Sequence, residues 1–169
     1  LGYSSNSLVK SLPVKIPSGT IPFPGCFPKN TWVLISIPTQ LDKNAIDDVF
    51  YDSFGEIDKN KFVIWEYSNG EYLEPTEILP GISYWIYQKV GEECDFTLGS
   101  GVVSDVDTLK WVLKPGWNMV GNPYPFAFDM GDVDQTLFCG PLDYSDNDGW
   151  SDYKTTIAPF GGYIICNKS

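Results

Sequence analysis

The chain repeats itself, and an internal duplication restricts the available folds more than any local motif does. Trp32-Val33-Leu34-Ile35-Ser36-Ile37-Pro38 returns as Trp117-Asn118-Met119-Val120-Gly121-Asn122-Pro123, and Ile78-Leu79-Pro80-Gly81-Ile82-Ser83-Tyr84-Trp85-Ile86-Tyr87 returns as Ile157-Ala158-Pro159-Phe160-Gly161-Gly162-Tyr163-Ile164-Ile165-Cys166. The first pair is offset by 85 positions and the second by 79, so the later copy is shorter by six residues between these motifs. Two copies of one unit are expected, at about 8–90 and 95–167.

A length of 169 residues suits one well-buried core. The duplication therefore predicts a single domain over 1–169 whose halves share a core. Aromatics form 15% of the chain, and 16 glycines and 13 prolines accompany them. That mixture suits short strands closed by turns. The expected class is all-β: two pseudo-symmetric repeats in one β-sandwich or flattened barrel, with one short helix per repeat.

Charge narrows the function. All eleven basic residues are lysines, histidine is absent, and 22 acidic residues leave a formal net charge of −11. Phosphate recognition normally needs a basic face with arginine forks, so nucleic acid and anionic membrane are poor partners. Without histidine the commonest general base and zinc ligand are missing. A cysteine nucleophile would also lack its usual base. The carboxylates Glu66 and Glu71 lie on opposite arms of one hairpin, a poor setting for the paired acids of a glycosidase. The reading is that the chain is not an enzyme.

No stretch approaches the roughly 20 apolar residues of a membrane span. The sequence opens at Leu1 without a signal segment, which suggests a piece of a longer precursor. Cys26, Cys94, Cys139 and Cys166 form no Cys-x-x-Cys pair. Four cysteines allow three pairings, and sequence does not choose among them or between thiol and disulfide. Cys166 stands where the other copy has Tyr87, on a strand expected to be buried.

Each copy opens with an extended lead, Leu8 to Ile16 and Asp95 to Val103. Pro13, Pro17, Pro22, Pro24 and Pro28 make the first lead an edge strand followed by a surface crossing. The Trp32 and Trp117 strands are apolar on both faces and are expected to be central, ending at Pro38 and Pro123. Asp42 to Phe50 has a capping-type start and apolar residues at Ile46, Val49 and Phe50, the spacing of a short helix. A weaker counterpart surrounds Met130, Val133 and Leu137. Lys61–Tyr67 and Glu71–Leu73 flank Asn69-Gly70, the signal of a type I′ hairpin. In the second copy Leu142–Tyr144 and Trp150–Tyr153 flank a longer acidic tip.

Lys114-Pro115-Gly116-Trp117-Asn118-Met119-Val120-Gly121-Asn122-Pro123-Tyr124, a Trp/Tyr hairpin, and Ala158-Pro159-Phe160-Gly161-Gly162-Tyr163 together resemble the "GWN…GNP…W-Y…PG-GYW" repeat of large secreted or surface proteins of bacteria. The first copy departs from it at Thr31-Trp32-Val33 and Ser36-Ile37-Pro38, and fits at Leu79-Pro80-Gly81 and Tyr84-Trp85-Ile86-Tyr87. The resemblance covers residues 30 to 167. It implies a non-catalytic accessory module of an extracellular or cell-surface multidomain protein, and it brings no catalytic residues.

Two chemical constellations remain. The tip from Asp143 to Asp152 offers Asp146, Asp148 and Asp152 as oxygen ligands beside Gly149, the chemistry of a calcium loop. The twelve-residue calcium pattern fails there, because Tyr144 and Thr155 fall on ligand positions; a solvated hairpin turn is the simpler explanation. Asp129, Asp132 and Asp134 read as helix-start carboxylates. Trp65, Tyr67 and Tyr72 in one hairpin and Tyr144, Trp150 and Tyr153 in the other offer flat apolar surfaces suited to sugar rings. Cross-strand packing explains the same residues, and Trp32, Trp85 and Trp117 are assigned to the core.

The expected function is thus a non-catalytic extracellular module with a structural, spacing or interaction role toward other domains of its parent protein. The alternative is a carbohydrate-binding module that takes an extracellular glycan on its hairpin aromatics. No cofactor is expected beyond calcium at the acidic tip.

Overall fold

The computed structural model describes residues 6–11, 27–56, 58–90, 101–102, 108–131 and 133–169. The Pro13–Pro24 part of the lead, Cys26, Cys94 and Asp132 lie outside them. In chain order the first half carries β1 (Asn6–Ser11), β2 (Trp32–Ser36), β3 (Gln40–Leu41), α1 (Ile46–Phe54), β4 (Phe62–Ser68), β5 (Glu71–Leu73) and β6 (Ser83–Gln88). The second half carries β7 (Gly101–Val102), β8 (Thr108–Leu113), β9 (Gly116–Gly121), β10 (Phe128–Asp129) and β11 (Phe138–Leu142). It continues with β12 (Tyr144–Ser145), β13 (Gly149–Trp150), β14 (Thr156–Ile157) and β15 (Gly162–Asn167). The protein is predominantly β, and every strand pairing among the described residues is antiparallel.

Two sheets organise the molecule, one ordered β2-β6-β4-β5 and the other β11-β15-β9. Their registers correspond. Trp32 faces Tyr87 and Ser36 faces Ser83 in the first; Trp117 faces Cys166 and Gly121 faces Gly162 in the second. A tyrosine inside each half closes the Pro-containing turn before it. Leu79 N donates to Tyr84 Oη at 2.9 Å, and Ala158 N donates to Tyr163 Oη at 2.7 Å. Both phenols are buried, which raises their pKa, Tyr84 to about 12.

The Trp32 and Trp117 strands are edges of their sheets, whereas β6 and β15 lie inside. Both faces of β2 are apolar for another reason. Val33 and Ile35 pack into the first core, while Leu34 and Ser36 meet the second half. The strand edges themselves are joined across the seam: Ser36 N donates to Phe160 O and Gly121 N to Gly81 O, each at 2.9 Å. Small residues permit this approach. A Cβ on Gly121 would fall 2.2 Å from Ser36 Cβ, and one on Gly162 2.7 Å from Leu34 Cγ.

Among the described residues most buried apolar side chains fall into two clusters. One gathers Phe27, Ile35, Ile37, Phe50, Phe54, Phe62, Ile78 and Ile86 with neighbours of the first half and Phe160 of the second. The other gathers Trp111, Leu113, Val120, Tyr124, Phe128, Phe138, Ile157 and Ile165. Helix α1 contributes Ile46, Val49, Phe50 and Phe54, spaced along one face, to the first cluster. Phe54 stacks on Phe62 at 4.7 Å. Its start is Ala45, without a side-chain cap, rather than Asp42; Asp47 and Asp48 in the first turn complement the helix dipole instead.

The helix expected around Met130, Val133 and Leu137 does not form among the described residues. Met130 N is committed to Thr155 O at 2.7 Å beside the β10–β14 pairing, and Gly131 follows at φ +63°. Only a single turn remains, in which Leu137 N and Phe138 N reach Asp134 O. The first lead does supply a strand, β1, but its partner is β8 in the other half.

Candidate functional site

The aromatic hairpin begins with its turn. Asn69 and Gly70 have φ of 54° and 88°, the two left-handed residues that a type I′ turn requires. This turn aligns Tyr67 opposite Tyr72, whose rings meet at 5.1 Å and 61°, and Glu66 opposite Leu73. Side chains alternate along β4, so Phe62 and Ile64 enter the core while Val63, Trp65 and Tyr67 take the other face. Along β6, Tyr84 and Ile86 are buried, and Trp85 and Tyr87 share the face of Trp65, to which Trp85 is directly opposed. Trp32 on β2 extends the layer, 5.1 Å from Tyr87 and 6.3 Å from Trp85.

The second half supplies a wall. Strands β12 and β13 pair Tyr144 with Trp150 around the tip, rings 5.3 Å apart. Both rings reach the first half: Tyr144 lies 4.9 Å from Trp85 and Trp150 lies 5.7 Å from it. A cleft of about 500 Å³ results, lined by Trp32, Trp65, Tyr72, Trp85, Tyr144 and Trp150. The volume lies in the range of small-molecule sites. Tyr72 and Trp150 are exposed, 57% and 43%, and Trp65 and Trp85 are half-buried. The rings around Trp85 are steeply inclined, at 88° for Trp32, 78° for Tyr144 and 76° for Trp150. They form a floor with walls rather than a coplanar strip.

Four of the six hairpin aromatics singled out in the sequence line this cleft: Trp65, Tyr72, Tyr144 and Trp150. Tyr67 stands behind Tyr72. Tyr153 is elsewhere; its hydroxyl donates to Gly131 O at 2.9 Å and accepts from Val133 N at 3.1 Å, at the margin of the second core. Trp32 and Trp85, expected in the core, belong to the cleft, and Trp117 is exposed. One signal pointed to Trp85. Its counterpart is Ile164 and that of Tyr87 is Cys166, exchanges that a shared packing role does not explain.

The carboxylates take other positions. Glu66 and Glu71 share the face of their hairpin turned away from Trp65 and Tyr72, so they do not flank the cleft as a catalytic pair. At the acidic tip Ser145 Oγ donates to Asp148 Oδ2 at 3.2 Å, and Asp146, Asp148 and Asp152 are exposed. Among the described residues no group of three or more acidic or cysteine side chains is arranged to hold a metal. Asp143 pairs with Lys154 at 3.5 Å. Asp134 caps its own turn; the Thr136 hydroxyl, and then the Thr136 amide, hold its carboxyl below the usual range.

No helix among the described residues is long and apolar enough to cross a membrane. No protein family, curated protein or solved structure matches the chain.

Proposed function

We propose that this chain is a non-catalytic extracellular module of a larger bacterial surface or secreted protein, built as a pseudo-twofold pair of repeats, and that it binds carbohydrate in the aromatic cleft. The carrying observation is the convergence of six aromatic rings, from both halves, on one open cleft of about 500 Å³. Buried packing alone favours enclosed rings, whereas Tyr72 and Trp150 offer much of their surface to solvent. Pyranose rings present apolar C–H faces that stack on such surfaces, and indole N–H and phenol O–H groups at the rim suit their hydroxyls.

Ring geometry and charge refine the ligand. Steeply inclined walls admit a short oligosaccharide or chain end, about two or three sugar rings by volume, better than a flat polymer surface. A net charge of −11, with Asp143, Asp146 and Asp148 beside the wall residues Tyr144 and Trp150, favours neutral or amino sugars over uronates. Matching registers, the paired Tyr84 and Tyr163 contacts and the reciprocal seam bonds support the repeat reading.

A specific observation also favours a structural role. Trp85, Tyr144 and Trp150 pack on one another across the halves and so hold them together. The test is a glycan array with soluble oligosaccharides, followed by titration of tryptophan fluorescence and thermal shift. Saturable quenching with a rise in melting temperature supports a sugar site, since a native-state ligand must stabilise. Failure of every glycan to bind leaves the structural role alone.

A further inference from the structure

Strands β11 and β15 place Phe138 opposite Asn167 and Cys139 opposite Cys166, before a register shift carries Leu142 to Ile164. Both thiols are half-buried and unbonded. Directly opposed residues of an antiparallel pair have Cα atoms about 4.5 to 5.5 Å apart and side chains on one face, inside the Cα window of a disulfide. Their Cβ atoms start about 1 Å wider than a disulfide holds them, a closure within side-chain and local strand adjustment.

We propose that Cys139 and Cys166 form an oxidative modification site, a dithiol that closes into a cross-strand disulfide on meeting a small disulfide oxidant of the oxidised-glutathione class. One cysteine thiolate attacks the oxidant and expels one glutathione thiolate, leaving a mixed disulfide. The second cysteine thiolate attacks the protein sulfur of that bond and expels the other glutathione. Two protons leave the cysteines, and two electrons reduce the oxidant disulfide to two thiols. Burial first, and the neighbouring Cys139 second, push the Cys166 thiol up, so closure is slow at neutral pH and faster in mild alkali. Of the three pairings open to four cysteines, this register favours the one that joins Cys139 to Cys166. The closed segment contains Tyr144 and Trp150 of the cleft wall.

The test uses the Cys26→Ser/Cys94→Ser chain, reduced, equilibrated with oxidised glutathione and quenched with an alkylating agent. The expected product is a monomer lighter by two hydrogens, with no alkylated cysteine, a 139–166 crosslink in its peptide map, and a melting temperature raised by about 5 to 10 °C. Persistent alkylation, a lasting glutathione adduct or an intermolecular dimer overturns the proposal. Peptide mapping of the unsubstituted chain after the same oxidation is independent of how the variant folds. A 139–166 crosslink there supports the pairing, and its absence, including any bond from either residue to Cys26 or Cys94, overturns it.

Discussion

Trp85 and Trp150 come from opposite halves of the chain and meet edge to face, ring centroids 5.7 Å apart and planes inclined at 76°. The contact serves two ends at once, since it builds a wall of the cleft and joins the halves. Trp150→Ala is expected to cost about 1 to 2 kcal/mol of stability, from lost ring contact and burial, and to weaken glycan binding at least tenfold. Chemical denaturation and fluorescence titration measure the two effects separately.

Tyr72 separates recognition from scaffolding. It lines the same cleft, yet it is 57% exposed and its ring packs against Tyr67 of its own hairpin. Tyr72→Ala should leave stability within about 0.5 kcal/mol of the parent while reducing glycan affinity severalfold. If stability is kept and affinity for a ligand bound by the parent does not change, Tyr72 is not part of the binding surface.

Gly121 marks the seam. A methyl group there would fall 2.2 Å from Ser36 Cβ and 2.7 Å from Ile82 O, so one half must move away from the other. Gly121→Ala is expected to destabilise by about 3 kcal/mol, the scale of a forced shift in a packed interior. Adding Ser36→Gly removes the side-chain clash but not the carbonyl contact, and it also removes the hydroxyl that donates to Gly161 O at 2.7 Å and accepts from Asn122 N at 3.2 Å, so equilibrium unfolding should show at most a small recovery.

Asn122 gives a physical reason for the Gly-Asn-Pro segment of the second half. Its buried amide donates to Phe126 O at 2.8 Å and Ile157 O at 3.1 Å, and its carbonyl accepts from Tyr124 N at 2.8 Å. In the first half Ile37 occupies this place and enters the core directly. Asn122→Asp keeps the shape but, once ionised, loses both donors and buries a charge facing two carbonyls. A loss of about 2 to 4 kcal/mol is expected by urea denaturation at neutral pH, and a smaller one in acid.

How far these features could be read in advance depended on whether they were local. The Asn69-Gly70 turn, the apolar spacing of Ile46, Val49 and Phe50, and the recurring Tyr84/Tyr163 framework each follow from neighbouring residues, and the all-β class follows from their sum. The cleft did not, because Tyr144 and Trp150 meet Trp85 only after two distant hairpins are docked. Trp32 and Trp85 sit on largely apolar strands, a pattern that reads as core; alternation against the buried Tyr84 and Ile86 places Trp85 on the opposite face. Trp111, buried with its indole donating to Gly121 O at 3.2 Å, lies outside the duplicated motifs, so no recurrence marks it in the sequence. The missing second helix turned on a backbone pairing at Met130 that side-chain spacing does not reveal.

Tyr84 links this framework to pH. Its hydroxyl accepts from Leu79 N at 2.9 Å and donates to Glu77 O at 3.5 Å, and burial pushes its pKa from 10.0 up to about 12. The native state therefore retains a proton that the unfolded chain releases near pH 10. The neutral phenol's contribution is fully present below that pH and is lost as pH rises through about 12, on the order of 2 kcal/mol in all. Tyr163 is shifted in the same direction, again chiefly by burial, and adds to the slope. Tyr84→Phe removes the titrating group along with the acceptor for Leu79 N, so it should lower stability near pH 8 by about 1 kcal/mol. Above pH 10 its stability should then fall less steeply than that of the parent. Urea denaturation at intervals from pH 8 to pH 12 decides the matter: parallel curves for the two chains would mean that Tyr84 ionises as freely in the fold as out of it.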